Sequence, residues 1–300
     1  MNKRTIHILI VMLLTAVAVA TRTYWMGSVL EWMAAAVFII VAGIPHGSLD
    51  HKIAQHRNKN LKLLFYIGGY VAAAALFLAV WLWIPGWAFL LFLLLTAWHF
   101  GETDIASFGF QKASPVLVFV YGAALTCWLL LQEPDVLIYW TGIITQNSKV
   151  ALTAVQWITS VPVLIWLSVV AVIVLLNPNH TSFTWPQRLL FLLFLYLVSK
   201  TSLLIGFILY FSGWHSISAI LHVHHAVFSR SGFKTMLKQA LPFTAAAVVF
   251  LFVIGWLSNG TWLSNHALPA LFVLLSILTL PHMTEMHKLY THTGPEGTTV

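Results

Sequence analysis

Long apolar runs, separated by short polar segments, extend from one end of the 300-residue chain to the other. Most runs hold about 15 to 25 residues, roughly the length that an α-helix needs to cross a hydrocarbon core of about 30 Å. No polar segment between them is long enough to form a soluble domain. The pattern therefore predicts an all-α fold, a polytopic membrane helix bundle of about 8–10 helices that forms one transmembrane domain over residues 1–300.

The boundaries of the predicted helices follow charged residues, proline, glycine and asparagine. We expect helices at about 5–21, 28–46, 61–84, 87–101, 115–132, 151–176, 186–198, 202–228, 239–257 and 267–287. A break is placed at 199–202 because one helix of about 40 residues would exceed the thickness of a bilayer. Residues 1–20 have the basic start and apolar stretch of a signal peptide and are interpreted as a retained first span. A short tail, 291–300, is expected to be disordered.

The composition excludes a water-soluble protein, since 60% of the residues are hydrophobic and only 8% are charged. The net charge of +7 comes from Lys and Arg in short loops beside apolar runs, so it indicates orientation and not nucleic-acid binding. The positive-inside rule places both termini in the cytoplasm and the protein in the cell (inner) membrane. The single cysteine, Cys127, excludes a disulfide framework and a cysteine-based metal site.

Histidines lie within or beside several of the apolar runs, where an ionisable side chain indicates a functional site. In the predicted topology they fall at a similar depth, in the middle or cytoplasmic half of their helices. Five histidines share this setting: His46, His99, His215, His222 and His282. One hypothesis is that these histidines converge on one site. The alternative is that each makes a separate interhelical hydrogen bond.

Imidazole is a suitable ligand for Fe, Zn, Cu and Ni, so convergence of these histidines predicts a non-haem metal site in the bundle interior. Four of the eight acidic residues follow a motif histidine by three to five positions: Asp50, Glu102, Asp104 and Glu285. A carboxylate that accepts the second ring N–H of a ligand histidine orients the ring and raises its basicity. Pro45, Gly47, Gly101 and Pro281, which flank motif histidines, suggest local helix breaks at the site, and helix ends at the membrane interface are the alternative.

Four motifs in this order resemble those of the Brp/Blh family of β-carotene dioxygenases, over about residues 40–290. The motifs are Pro45-His46-Gly47 with Asp50-His51, His99-Phe100-Gly101 with Asp104, Tyr210-Phe211 with Trp214-His215-Ser216, and Leu280-Pro281-His282-Met283. Members of that family split β-carotene at its central double bond with O₂ and a non-haem iron, and the retinal serves microbial rhodopsins. The resemblance implies a membrane enzyme with the same activity.

The same resemblance implies Fe²⁺ as cofactor and His46, His99 and His215 as its ligands. The family pattern has a second histidine four residues after the Trp-His pair, where this chain has Ala219. His222 is therefore expected as the fourth ligand, with His282 as the competing one. The alternatives are a site of three histidines and a protein that no longer performs the reaction of its relatives. The implied partners are a lipophilic carotenoid, O₂ and membrane lipid, with a functional link to a microbial rhodopsin through retinal supply.

The remaining site residues are assigned by their proximity to the histidines. Asp50, Glu102 and Asp104 are expected to orient the metal ligands. Five aromatic residues are expected to line an apolar slot that the substrate enters sideways from lipid: Trp98, Phe100, Tyr210, Phe211 and Trp214.

Two other functions compete with this interpretation. A diiron histidine-box oxygenase or desaturase would use the His46 to His51 pair and the cluster of His222, His224 and His225, and it would bind two irons. A metal or proton transporter would use histidines along a translocation path and would require polar residues at several depths.

Overall fold

The computed structural model describes residues 3–110, 113–176, 183–257 and 267–293. These residues are helical and contain no strand, which confirms the predicted all-α bundle. In chain order the α-helices are α1 (Lys3–Ala20), α2 (Arg22–Trp25), α3 (Val29–Phe38), α4 (Ile44–Gly47), α5 (Asp50–Arg57), α6 (Leu63–Trp83), α7 (Pro85–Ser107), α8 (Pro115–Leu130), α9 (Pro134–Ile144), α10 (Lys149–Ser160), α11 (Val163–Leu175), α12 (Trp185–Val198), α13 (Leu203–Ile208), α14 (Ile217–Val227), α15 (Phe233–Leu257) and α16 (Ala267–Thr293). Two π-helical turns are inserted: π1 (Ile39–Gly43) joins α3 to α4, and π2 (Leu209–Ser216) joins α13 to α14.

Several helices are long and apolar enough to cross a membrane, as the hydropathy pattern predicted. Within the described ranges they are Val29–Arg57, Leu63–Trp83, Pro85–Ser107 and Leu203–Val227. Two bent pairs, α8 with α9 and α10 with α11, reach the required length together. The break expected at 199–202 is confirmed because α12 ends at Val198 and α13 begins at Leu203. Of the tail 291–300, residues 294–300 lie outside the described residues.

The bent pairs correct two of the predicted helices. The predicted helix 151–176 is broken between α10 and α11, whose axes differ by 73°. The predicted helix 115–132 ends at Leu130, and α9 then turns away by 99°. Pro134 begins α9 and Pro162 directly precedes α11. Proline lacks a backbone N–H and clashes with the preceding turn, so each bend occurs where the helical hydrogen-bond ladder cannot continue.

The expected helix breaks at Gly101 and Pro281 are wrong, because α7 and α16 continue through them. Gly101 instead allows close contact between α7 and α8. A Cβ atom at Gly101 would overlap the carbonyl oxygen of Val118, and one at Gly122 would overlap that of Ala97. Small residues let membrane helices approach closely and gain van der Waals contact, so the two glycines fix the position of α7 in the bundle.

The two π-helical turns lie next to candidate ligands. Pro45 follows π1 and cannot donate to the helical ladder, and His46 comes directly after it. His215 lies within π2, all of whose residues are buried. An inserted π-turn residue rotates the following side chains about the helix axis and is common at functional sites. Both insertions therefore reorient the side chains of membrane-spanning helices at the level of the histidines.

Candidate metal centre

Three buried histidines from three different helices meet inside the bundle. His46 of α4, His99 of α7 and His282 of α16 each offer a ring nitrogen, and the three nitrogens lie within 4.8 Å of one another. The ring centroids of His46 and His282 are 4.6 Å apart, and those of His99 and His282 are 4.9 Å apart. The described part of the chain thus brings together three residues that are widely separated in sequence.

His215, from π2, joins this group. Its Nε2 atom lies 3.1 Å from Nε2 of His99, and its ring centroid is 5.7 Å from that of His46. Two imidazole nitrogens at this separation either share a proton or bind one cation, because two ligands of one metal at about 2.1 Å lie roughly 3 to 3.4 Å apart. We call His46, His99, His215 and His282 the central cluster.

His222 lies elsewhere, two helical turns beyond His215. Its Nδ1 atom is 3.1 Å from the hydroxyl of Tyr290, and its Nε2 atom is 3.4 Å from the hydroxyl of Ser107. Both ring nitrogens therefore have partners outside the central cluster. Ala219, at the position between the two histidines, is packed in an apolar cluster with Leu49 and other buried residues.

Hydrogen bonds fix the orientation of two rings in the central cluster. Asp50 accepts a hydrogen bond from Nδ1 of His282 at 2.8 Å, and the Tyr70 hydroxyl donates to its other oxygen at 3.1 Å. Asp50 thus serves a histidine of another helix. Nδ1 of His46 bonds to the carbonyl of Gly43 in π1. Each bond occupies Nδ1 and leaves Nε2 of that ring available, as second-shell bonds to metal-ligating histidines do.

The donor set of the central cluster fits a metal ion. Nε2 of His282 is buried and has no hydrogen-bond partner among the described residues, and the Nε2 atoms of His99 and His215 contact each other. A buried polar atom without a partner costs about 1–3 kcal/mol, and a bound cation would remove that cost at a coordinating nitrogen. Uncharged imidazoles with one nearby carboxylate suit Fe, Zn, Cu or Ni better than Mg or Ca, which prefer oxygen.

Asp104 lies apart from the four rings, although it follows His99 by five residues. It is fully buried and accepts hydrogen bonds from Tyr121 at 2.7 Å, Tyr210 at 2.9 Å and Trp214 at 2.8 Å. Tyr210 and Trp214 belong to π2, which carries His215. Asp104 therefore anchors the π-helical turn and not an imidazole ring.

Glu102 also has its partner outside the central cluster. Its carboxylate accepts a hydrogen bond from Nδ1 of His287 at 2.5 Å, near the exposed end of α16. The side chain of His287 is 48% exposed, so this pair connects the buried part of α7 with the surface. The ring centroids of Trp98 and His287 are 6.1 Å apart.

A cavity of about 610 Å³ adjoins the central cluster, and its walls are almost entirely apolar. His46, His99 and His282 line it together with Phe100 and Phe211. It extends along α6 from Tyr66 to Leu78, about 18 Å of helix axis. Its volume lies in the range of small-molecule sites. We call it the first cavity.

Three of the five aromatic residues predicted to line the slot lie outside this wall. Tyr210 and Trp214 are buried behind the central cluster, where both donate hydrogen bonds to Asp104. Trp98 lies beside His287. Tyr70 and Tyr290, which hold Asp50 and His222, did not emerge from the sequence. A lone tyrosine in an apolar run carries no signal that separates a hydrogen-bond donor from a membrane-interface residue.

Comparison with known proteins identifies the family. The family model described as "Beta-carotene 15,15'-dioxygenase" matches residues 37–290. A protein named "Beta-carotene 15,15'-dioxygenase" from uncultured marine bacterium 66A03 is 25% identical over 262 residues, which cover 85% of this chain and 92% of that protein. No solved structure matches. The matched residues include all four histidines of the central cluster, and the chain belongs to the beta-carotene 15,15'-dioxygenase family.

Proposed function

We propose that this protein is a membrane-embedded non-haem iron dioxygenase that cleaves β-carotene, or a related carotenoid, at its central double bond. O₂ is the co-substrate and two molecules of retinal are the products. Membership of a carotenoid-cleaving family supports the reaction class. The observation that supports a metal-dependent reaction most directly is the meeting of ring nitrogens from the buried histidines His46, His99 and His282 beside an apolar cavity.

The proposed ligands are the four histidines of the central cluster, with His282 as the fourth in place of His222. The two nitrogens of His222 have hydrogen-bond partners, whereas Nε2 of His282 has none among the described residues. Asp50 holds His282 in the required orientation and adds one negative charge beside the cation. When bound, ferrous iron supplies the means to activate O₂ beside the substrate.

The apolar walls suit a polyene and exclude water. Phe211 packs edge-on to the ring of His46 at 5.6 Å and stacks along His215 at 5.9 Å, so aromatic carbon lies directly beside the ligands. The proposed reaction breaks one carbon–carbon double bond and forms two carbonyl groups, and both atoms of O₂ remain in the products. It therefore needs no external electron donor, and exclusion of water prevents competing reactions of activated oxygen.

The proposed role in the cell follows from the product. Retinal would be released into the membrane for a microbial rhodopsin. We place the protein in the cell membrane with both termini in the cytoplasm, which agrees with the charge pattern of its loops.

The direct test is expression in a bacterium that accumulates β-carotene, followed by extraction and chromatography. We expect the orange colour to fade and retinal to form at two molecules for each carotenoid lost. The matched control is His99→Ala, which should leave the colour unchanged at equal protein abundance. Persistent β-carotene and no aldehyde, with iron-loaded protein in the membrane, would contradict the proposal.

Iron stoichiometry separates this proposal from the diiron alternative. A dioxygenase of this kind holds one iron per chain, whereas a diiron oxygenase holds two and requires an electron donor. Metal transport into proteoliposomes, without loss of carotenoid, would support a transporter instead.

A further inference from the structure

A second cavity, of about 620 Å³, adjoins the first at Phe207. Its walls come from α3, α7, α8, α9, α13 and α16 and from adjoining loops, and they include Glu31, Thr141 and Ser202. None of these residues belongs to the central cluster. Phe207 is the residue that lines both cavities.

The partition between the two cavities consists of aromatic side chains. Phe207 stacks on Phe211, with ring centroids 5.5 Å apart and an interplanar angle of 12°. Phe272 lines the second cavity and packs at 4.8 Å against Phe92, which lines the first. Rings can change rotamer without movement of a helix backbone. The two cavities are therefore separated by groups that a ligand can displace.

A rod-shaped substrate that is cut at its centre needs room on both sides of the reacting bond. His46, His99 and His282 line the first cavity, so a polyene whose central bond lies beside them must extend past the rings in two directions. One direction leads along α6, and the row from His46 through Phe211 to Phe207 leads to the second cavity. The aromatic row gives the polyene a continuous apolar path.

The second cavity also holds a polar group without a partner. Thr141 is 1% exposed, and its hydroxyl has no hydrogen-bond partner among the described residues. The two oxygens of Glu31, by contrast, are occupied by the backbone N–H of Gly27 and the hydroxyl of Ser202. β-Carotene carries no oxygen, but a carotenoid with an oxygen atom on its end ring would provide Thr141 with a partner.

We propose that the second cavity is a substrate subsite that seats one terminal ring of the carotenoid, and that Phe207 is the gate through which the polyene passes. This inference rests on the proposed function and adds the determinant of substrate length. A carotenoid with two rings and a full-length polyene uses both cavities. A shortened polyene with one ring needs only the first.

The test fills the second cavity and leaves the first unchanged. Val136→Trp adds bulk to the wall of the second cavity, and the matched control Val120→Trp adds the same bulk in a surface groove lined by Val116 and Ile165. We expect kcat/KM for β-carotene to fall at least 10-fold in Val136→Trp and to stay within twofold in Val120→Trp. Activity on a one-ring, shortened polyene aldehyde and the iron content should stay unchanged in both.

The outcomes separate this inference from the proposed function. If the wild-type protein cleaves neither substrate, the proposed function fails. If it cleaves β-carotene and Val136→Trp behaves like Val120→Trp, only the subsite is overturned. Should Val136→Trp not accumulate in the membrane, Leu204→Trp, in the wall of the second cavity, replaces it with the same expected loss for the two-ring substrate, and equal losses on both substrates would overturn the subsite.

Discussion

Two groups of buried polar side chains, each with histidine, lie on the same helices about two turns apart and differ in what the histidine nitrogens contact. In the central cluster the rings of His99, His215 and His282 retain nitrogens without partners, and two ring nitrogens approach to 3.1 Å. His222 lies in a second group with Ser107 and Tyr290, where both of its nitrogens have hydroxyl partners. We call this second group the flanking cluster.

The hydrogen-bond partners of the ring nitrogens distinguish a candidate metal ligand from a structural histidine. Both groups are buried and both contain histidines on membrane-spanning helices, so burial and residue type do not separate them. The flanking cluster already satisfies its polar atoms and gains nothing from a cation. In the central cluster the Nε2 atoms of His99 and His215 face each other and Nε2 of His282 has no partner among the described residues, an arrangement that a cation bound between these nitrogens would satisfy.

The largest expected effect comes from removal of a histidine from the central cluster. In His46→Ala or His99→Ala we expect bound iron to fall below about a tenth of the wild-type amount and carotenoid cleavage to reach background, because a proposed ligand is removed. Elemental analysis of purified protein and retinal chromatography check both. Full iron occupancy in either variant would show that the ligand assignment is wrong.

The next prediction compares the loss of one histidine from each cluster. His282→Ala should weaken iron binding by at least about 100-fold, whereas His222→Ala should keep its iron. The second change should instead destabilise the fold by about 1–3 kcal/mol, because it removes the hydrogen bonds that His222 makes with the hydroxyls of Ser107 and Tyr290. Iron titration and thermal unfolding in detergent measure the two effects. The reverse pattern would make His222 the fourth ligand.

A smaller effect is expected from the carboxylate that holds His282. Asp50→Asn should reduce iron affinity or activity by about 10- to 100-fold, since it weakens the hydrogen bond that orients the ring and removes a balancing charge. Tyr70→Phe is the matched control, because it removes one bond to Asp50 and keeps the carboxylate. Equal losses in the two variants would argue against a special role for the charge.

The smallest expected effect lies in the flanking cluster. Tyr290→Phe should lower stability by about 1 kcal/mol, the net value of a typical hydrogen bond, and should leave iron content and cleavage unchanged. Thermal unfolding measures the change in stability, and the retinal assay measures cleavage. Loss of iron in this variant would mean that the two clusters act as one unit.

The helical architecture was readable from the chain because apolar runs of bilayer length leave few alternatives. Their common depth also led us to expect a meeting of His46, His99 and His215. The fourth partner was harder to choose. His222 lies on the same helix as His215, whereas His282 comes from another, and the rotation of α16 against α7 decides between them.

Sequence proximity was a poor guide to the partners of the acids. Asp104 follows His99 by five residues but contacts Tyr210 and Trp214, and Glu102 contacts His287. A side chain on a helix points toward whichever neighbour packs on that face, and the packing of α7 is set by Gly101 against α8. The second cavity left no sequence signal, because its walls come from helices that are widely separated in the chain.

X-ray absorption at the iron edge of the purified, ferrous-loaded protein tests whether the central cluster holds one iron. The account predicts one iron per chain, a nitrogen shell at about 2.1 Å, and outer scattering from several imidazole rings that weakens in His282→Ala and persists in His222→Ala. Two irons per chain with an iron–iron distance of about 3.5–4 Å, or the same spectrum in wild type and His282→Ala, would contradict it.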